Sequence, residues 1–355
     1  MKLMLKPSFN RSFKPQAVMV SRESLVRQEC LSADQELPLV LRPQVDDFDL
    51  LSWVRDNHNV IENNLLKHGG ILFRDFDITD ELKFEQLVRA FSSNLIDYLD
   101  QHTPRTRLTE AVYTSTEYPA DHYIPFHSEN SKNHVWPLKI WFFCMQPAAV
   151  GGETPIADNR KVFERLDPRI KEQFISRNVM YARNFGEGVG LPWQTAFQTD
   201  DKNVVEDHCR RFGMEFTWKD NNRLKLRHVC QAIAHHPTTG EAVWFNQAHL
   251  FHVAGLDSAV RESLLDLFSE EDLPSNAYFG DGSRIDDSII EEIRECYRNV
   301  AVTFPWQARD LLMLDNMFVA HGRKPFSGNR RILVAMADAY GPGLSNPGGV
   351  DLDAA

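Results

Sequence analysis

One pair of residues limits what this chain can fold into more than any other. His127 and Glu129 sit in the run IPFHSENS, with His321 far downstream in DNMFVAHGR. Two imidazoles and one carboxylate are the donor set of a facial triad, which holds a non-haem ferrous ion and leaves coordination positions open. Along an extended strand, residues i and i+2 project to the same side. His127 and Glu129 can therefore face one ion while Ser128 turns away. His321 must reach the same point from another strand, so the fold has to bring remote segments side by side.

The flanking sequence supplies strands. LKIWFFCM (138–145) is a compact aromatic and aliphatic run ended by Gln146-Pro147, and GILFRDF after Gly69-Gly70 reads as a buried strand. AVTFPW, ARDLLMLDN and RRILVAMA add short strands near the C-terminus. Helical spacing of Leu51, Val54, Ile61 and Leu65 predicts a helix over 48–66. A second helix is expected in ITDELKFEQLVRAFSS, with Thr79 able to cap it. NRKVFERLDPRIKEQF (159–174) returns to helix, with Asp158 or Asn159 as cap and Pro168 at a boundary. DKNVVEDHCRRFG, RESLLDLFS and the stretch 285–300, with Ile289, Ile290, Ile293 and Tyr297 on one side, continue the helical section. Short strands with a long helical excursion between the two ligand segments favour a β-sandwich or jelly-roll core carrying inserts. Residues 1–40 mix basic, polar and proline residues and read as an N-terminal arm. Residues 41–345 read as a single domain with helical insertions between the metal-ligand segments.

The chain has 355 residues, 43% hydrophobic, with 23 Phe and 7 Trp, enough for a large aromatic-rich core. A formal charge of -11 argues against a general binder of nucleic acid or anionic membrane, since both call for a positive field. Arg210-Arg211 and the run Lys225 to His228 are candidate docking spots for an acidic partner. Cys30, Cys144, Cys209, Cys230 and Cys296 contain no CxxC, so neither a zinc-thiolate knuckle nor a redox pair is indicated, and the pattern fits a reducing cytoplasm. The N-terminal run MKLMLKPSFNRSFKPQ lacks the apolar core of a secretory signal. Nowhere do about eighteen apolar residues run together, so no membrane-spanning helix is expected.

Each candidate ligand also has an ordinary use: His127 as a structural histidine, Glu129 as surface charge, His321 as a strand edge. Zinc hydrolysis is the competing use of such a donor set, but HExxH is missing. His235-His236, in AHHPTTGE, and His249 with His252 are further nitrogen donors, read mainly as structural or supporting. Asp121, His122 and His134 flank the proposed site as candidate substrate contacts.

The runs YTSTEYPADHYIPFHSE, KIWFFCMQPAAVGGETPIAD, HHPTTGEAVWFNQAHLFH, NAYFGDGS and DNMFVAHGRKPFSGNRRILVAMA follow one another through most of the chain. In content and order they resemble the TauD/TfdA family of Fe(II)- and 2-oxoglutarate-dependent dioxygenases, nearest to its syringomycin-biosynthesis, SyrP-like branch. The resemblance implies a mainly β fold with flanking helices: a clavaminate synthase-like double-stranded β-helix, or jelly roll. It implies iron ligands at His127, Glu129 and His321, with Glu in place of the commoner Asp. An intact carboxylate there argues against halogenation. It implies contacts to 2-oxoglutarate from Thr154, in GGET, and from Arg330 or its neighbour Arg331, with O2 as the second cosubstrate. The branch implies hydroxylation of an unactivated C–H bond of an amino acid, free or tethered to a peptidyl carrier protein, in specialised-metabolite biosynthesis. Desaturation, or oxidation of another small acid, is the alternative with the same cofactors. A non-enzymatic jelly-roll binding protein is the different-class alternative, and the retained ligands speak against it.

The arginine also has a physical reading. 2-Oxoglutarate leaves its far carboxylate without a partner, and a planar guanidinium matches a buried carboxylate bidentately. In RRILV adjacent side chains alternate, so one arginine faces inward and the other outward. Arg330 is preferred. Arg323, close after His321, faces either a substrate carboxylate or an outside acidic residue.

Overall fold

In the stretch 140–144 every residue is apolar, and consecutive side chains enter different cores. Ile140, Phe142 and Cys144 join one buried cluster, Trp141 and Phe143 another. Such a strand needs cover on both faces. The computed structural model describes residues 25–32, 35–96, 106–115, 118–186 and 190–341. Its strands run in chain order as β1 (Val26–Ser32), β2 (Gln35–Pro43), β3 (Gly70–Phe73), β4 (Tyr113–Thr114), β5 (Ile124–His127), β6 (Trp136–Gln146), β7 (Val150–Gly151), β8 (Ile156–Asp158), β9 (Val179–Phe185) and β10 (Glu215–Lys219). They continue as β11 (Arg223–Cys230), β12 (Ile233–His235), β13 (Ala242–Trp244), β14 (Ser275–Phe279), β15 (Ala301–Val302), β16 (Leu311–Asp315), β17 (Val319–Arg323), β18 (Phe326–Ser327) and β19 (Arg331–Tyr340).

A seven-stranded sheet has the order β1-β2-β3-β16-β6-β19-β4, and a four-stranded sheet the order β15-β8-β17-β5. The inner face of the large sheet, with Leu72, Ile140, Phe142, Leu312 and Val334, shares a core with Ile156, Val302 and Val319 of the small one. Two facing sheets with crossed connections make the expected double-stranded β-helix. The outer face of the large sheet, with Ile71, Phe73, Trp141 and Phe143, is covered by the helices Leu50–Asp56, His58–His68 and Glu81–Phe91. Behind the small sheet, Phe126, Ala157 and Ala320 pack on the helices Asn159–Arg165, Pro168–Arg177 and Asp287–Val300.

Several local expectations change. The helix expected over 48–66 is broken at Asn57, whose side-chain amide donates to Trp53 O and so competes with the helical backbone. Gly69 then ends the second piece at φ +76, where an added Cβ would lie 2.7 Å from Val319 Cγ2. Asp80, not Thr79, caps the helix Glu81–Phe91 by accepting from Lys83 N, and the Thr79 hydroxyl donates to Asp80 instead. Asp158 is the cap of the helix Asn159–Arg165, and Pro168 opens the next helix behind the cap Asp167.

The excursion between the ligand segments is not only helical. It carries a second four-stranded sheet, β10-β11-β9-β14, backed by the helices Trp193–Phe197 and Lys202–Arg211. Strict alternation of buried Leu224, Leu226, His228 and Cys230 marks β11, a period-two signal diluted by the charged residues between them. Of the arm expected over 1–40, residues 1–24 lie outside the described residues. Val26–Ser32 and Gln35–Pro43 pair antiparallel at the edge of the large sheet. All five cysteines are free, and no described helix is long and apolar enough to cross a membrane.

Candidate metal centre and cosubstrate clamp

His127 ends β5 and His321 is central in β17; the two are paired residues of adjacent antiparallel strands. Paired residues project to one face, which explains how side chains so distant in sequence come to 4.5 Å between ring centroids. Glu129 joins them differently from the expectation. The strand stops at His127, and the carboxylate reaches in from a turn whose next residue, Asn130, has φ 57. Donor atoms of His127, Glu129 and His321 all lie within 4.8 Å of one another. Glu129 and His321 are buried, and Phe142 packs 4.7 Å from the His321 ring. Two imidazoles and one carboxylate, without thiolate, fit a ferrous ion with open coordination positions.

Side chains from three other segments hold this turn. Asn316 accepts from Glu129 N at 2.7 Å and donates to Glu129 O and Pro137 O at 2.9 Å each. Gln247 donates to Ser128 O, and the Asn159 side-chain amide donates to Ser128 Oγ. The turn is thus fastened on both sides of the carboxylate. His127 Nδ1 lies 2.9 Å from Pro125 O. A carbonyl only accepts, so Nδ1 carries the proton and Nε2 presents its lone pair to an ion. Asn316 belongs to the run DNMFVAHGR, but no periodicity singles it out.

Beside the triad lies a cationic clamp. Thr154 stands two residues before Ile156, the strand partner of His321, and Gly322 N donates to Pro155 O. The Arg330 guanidinium donates to Gly152 O at 2.8 Å and reaches Ser115 Oγ and Thr154 Oγ1 at 3.4 Å each. Gly152 has φ +73, and a Cβ there would press on Arg330 Cδ at 3.0 Å. Trp306 Nε1 also donates to Thr154 Oγ1, at 3.1 Å. Both lone pairs of that hydroxyl are then engaged, leaving its proton to be donated to an acidic ligand. Burial, with the Arg323 charge adding to it, pushes Arg330 down to about 10, so it stays a cation at neutral pH. Arg331 lies on the opposite side of the strand, 3.7 Å from Glu81 on the covering helix.

The remaining candidates disperse. Arg323 meets neither expected partner; it donates to the carbonyls of Tyr118, Pro119 and His122, in the loop before β5. Asp121 and His122 are exposed and bonded to each other. His236 is buried against Asp315 at 3.0 Å, while His235 ends β12 on the surface. His249 Nε2 donates to Phe126 O from full burial, which pushes its pKa down to about 4. His252 accepts from Ala254 N. Arg210 pairs with Glu206 and Asp207, and Lys225 lies near Glu271, so both basic runs have internal acidic neighbours.

Fold and donor set together define a non-haem iron oxygenase of the jelly-roll type. The chain belongs to the TauD/TfdA family: "Taurine catabolism dioxygenase TauD, TfdA family" matches residues 34–336. It is an Fe(II)- and 2-oxoglutarate-dependent dioxygenase, with 2-oxoglutarate and O2 as cosubstrates and a small molecule as substrate. Among its relatives, the dapdiamide synthesis protein DdaC of Enterobacter agglomerans is 40% identical over 81% of this chain and 87% of its own length. A clavaminate synthase-like protein of Arabidopsis thaliana is 28% identical over 80% of this chain and 86% of its own. Two solved structures share the fold. PvcB of Pseudomonas aeruginosa has a TM-score of 0.52 at 15% identity, covering 93% of this chain and 95% of that one. AAD-2, in complex with Mn(II) and N-oxalylglycine, has a TM-score of 0.52 at 15% identity, covering 91% and 99%.

Proposed function

We propose that His127, Glu129 and His321 hold the iron and that Arg330 and Thr154 hold the far carboxylate of 2-oxoglutarate. The enzyme then hydroxylates an unactivated C–H bond of an amino acid, free or tethered to a carrier protein, in specialised-metabolite biosynthesis. For the site, the supporting observation is the convergence of three donors within 4.8 Å, together with a part-buried guanidinium and a hydroxyl with a proton to give. For the substrate class, it is the 40% likeness to a protein of dapdiamide synthesis.

Bound iron with 2-oxoglutarate and O2 supplies the oxidant, at the expense of decarboxylation to succinate and CO2. The protein supplies placement. Pro125 O sets the His127 tautomer, Asn316 fixes the backbone of Glu129, and the β17–β5 pairing sets the angle between the imidazoles. Arg330 and Thr154 would hold the far carboxylate of the cosubstrate and so limit the orientations it can take in the site. Arg323 gathers the carbonyls of the 118–122 loop and so shapes the wall ahead of His127.

The test is anaerobic loading with Fe(II) and 2-oxoglutarate, then oxygen, against parallel panels of free and carrier-loaded amino acids. A mass gain of about 16 Da marks hydroxylation and a loss of about 2 Da desaturation, as the cofactor chemistry requires. Equal turnover of free and tethered forms removes the carrier requirement. Turnover confined to sulfonates or aryloxyacetates overturns the substrate class.

A further inference from the structure

We propose that His134, His228 and Cys230 form a second metal site, for a thiophilic divalent ion such as Zn(II), which clips the segment after Glu129 to β11. The donor atoms of these three residues all lie within 4.8 Å of one another. His228 and Cys230 are i and i+2 on β11, on its buried face with Leu224 and Leu226. His134 comes from the segment that continues the Glu129 turn, and its ring meets that of His228 edge-on at 4.8 Å between centroids.

The spacing suits a shared ion. Zinc bonds of about 2.3 Å to sulfur and 2.0–2.1 Å to nitrogen, at tetrahedral angles, separate two donors by about 3.3–3.6 Å. Only one His228 nitrogen can share an ion with the sulfur, and Cys230 Sγ lies 3.3 Å from Nδ1 and 3.4 Å from Nε2, so either choice falls in this range. One sulfur and two imidazoles select a borderline or soft metal over magnesium or calcium. His134 is only half-buried and leaves a way in from the surface, whereas His228 and Cys230 are buried.

Without an ion, Cys230 is a thiol that donates to Lys132 O at 2.8 Å, and burial pushes it up to about 12. Metal binding replaces the S–H bond by a metal–sulfur bond and releases one proton to solvent, with no change of oxidation state. The segment is already drawn to this strand, because Gln231 Nε2 donates to Ser131 O and Asn133 O. Asn316 holds one end of the stretch at Glu129, and the second ion holds the other at His134. The clip thereby steadies the turn that presents the carboxylate.

Co(II) is the probe, because thiolate-to-cobalt charge transfer absorbs in the near ultraviolet and the iron triad contains no sulfur. Titrating the full chain with Co(II) is expected to raise this band to saturation at one equivalent of thiolate-bound metal, with Zn(II) displacing it. The band persists in Glu129→Ala and disappears in Cys230→Ser and His228→Gln, whose folding is checked by circular dichroism. His134→Gln, at the half-exposed ligand, weakens Zn(II) affinity tenfold or more, the loss typical of an impaired ligand shell, and leaves the melting temperature of the metal-free protein unchanged. No thiolate band in the intact chain overturns the proposal. So does a band that survives Cys230→Ser, which would belong to another cysteine.

Discussion

Arg330 and Arg331 are neighbours in sequence, yet they meet opposite sides of the large sheet. Along β19, Ile332, Val334 and Met336 enter the inner core, while Leu333 and Ala335 enter the outer one. Past the irregularity at the start of β19, Arg330 reaches Thr154 while Arg331 meets Glu81. Removing the partner of a buried carboxylate costs roughly 2–5 kcal/mol, part of it the penalty on the group left behind. Arg330→Leu is therefore expected to raise the KM for 2-oxoglutarate by 30-fold or more, and Arg331→Leu to leave it within twofold, read from succinate formation. The reverse result would shift the strand phase by one residue. Side-chain chemistry in the sequence narrowed the choice to two arginines. Choosing between them required the phase of the strand against its covering helix.

At the scale of elements, the piece that matters is the turn from His127 to His134. It is irregular, so its shape comes from side chains that reach it from elsewhere: Asn316, Asn159 and Gln247. Asn316→Ala leaves Glu129 N and two carbonyls short of a buried partner, at a cost of about 1–3 kcal/mol for each group left unsatisfied. The expected outcome is a lower urea midpoint and, in the folded fraction, an iron affinity lowered by tenfold or more by anaerobic titration. Asn316→Asp keeps the acceptor for Glu129 N and loses both donated bonds, so it should fall between. An iron affinity unchanged in Asn316→Ala would show that the turn holds its own shape. HxE was legible as a candidate ligand pair because both donors lie two residues apart. The strand assumed for it ends at His127, two residues before Glu129, and no local pattern announces the asparagine that fastens the turn there.

For the whole molecule, the three triad residues come together only when β5, β17 and the intervening turn are in place, so a metal that binds them binds the folded state. An ion at 100 times its dissociation constant stabilises that state by about 2.7 kcal/mol. Anaerobic Fe(II) should raise the melting temperature, a chelator should reverse the rise, and Glu129→Ala should abolish it. The metal-free protein should also lose stability in acid. His249 is held neutral by burial, its pKa near 4 in the folded chain against 6.5 as the ordinary value. The unfolded chain then binds the extra proton between these values, so stability is intact above pH 6.5 and falls toward pH 4, by about 3 kcal/mol for this residue. Burial lowers His134 and His252 in the same direction. His249→Gln, which keeps a donor for Phe126 O, should flatten the decline of the urea midpoint between pH 6.5 and 4.5. An unchanged slope would remove His249 as its source.

By itself, the sequence offered the candidate donors, and its ordered motifs, through their likeness to the family, implied the class of chemistry and the jelly-roll core. The candidates follow from side-chain type and spacing within a few residues, the class from the likeness carried by the ordered motifs, and the sheet packing from runs such as KIWFFCM whose apolar faces demand two covered sides. Tertiary structure decided which arginine turns inward, what holds Glu129, and that β11 brings His228 and Cys230 to His134. Each of these depends on contacts between segments tens to hundreds of residues apart. The periodicity of a chain reports only the geometry of near neighbours, whereas the register of one sheet against another is set when the core closes.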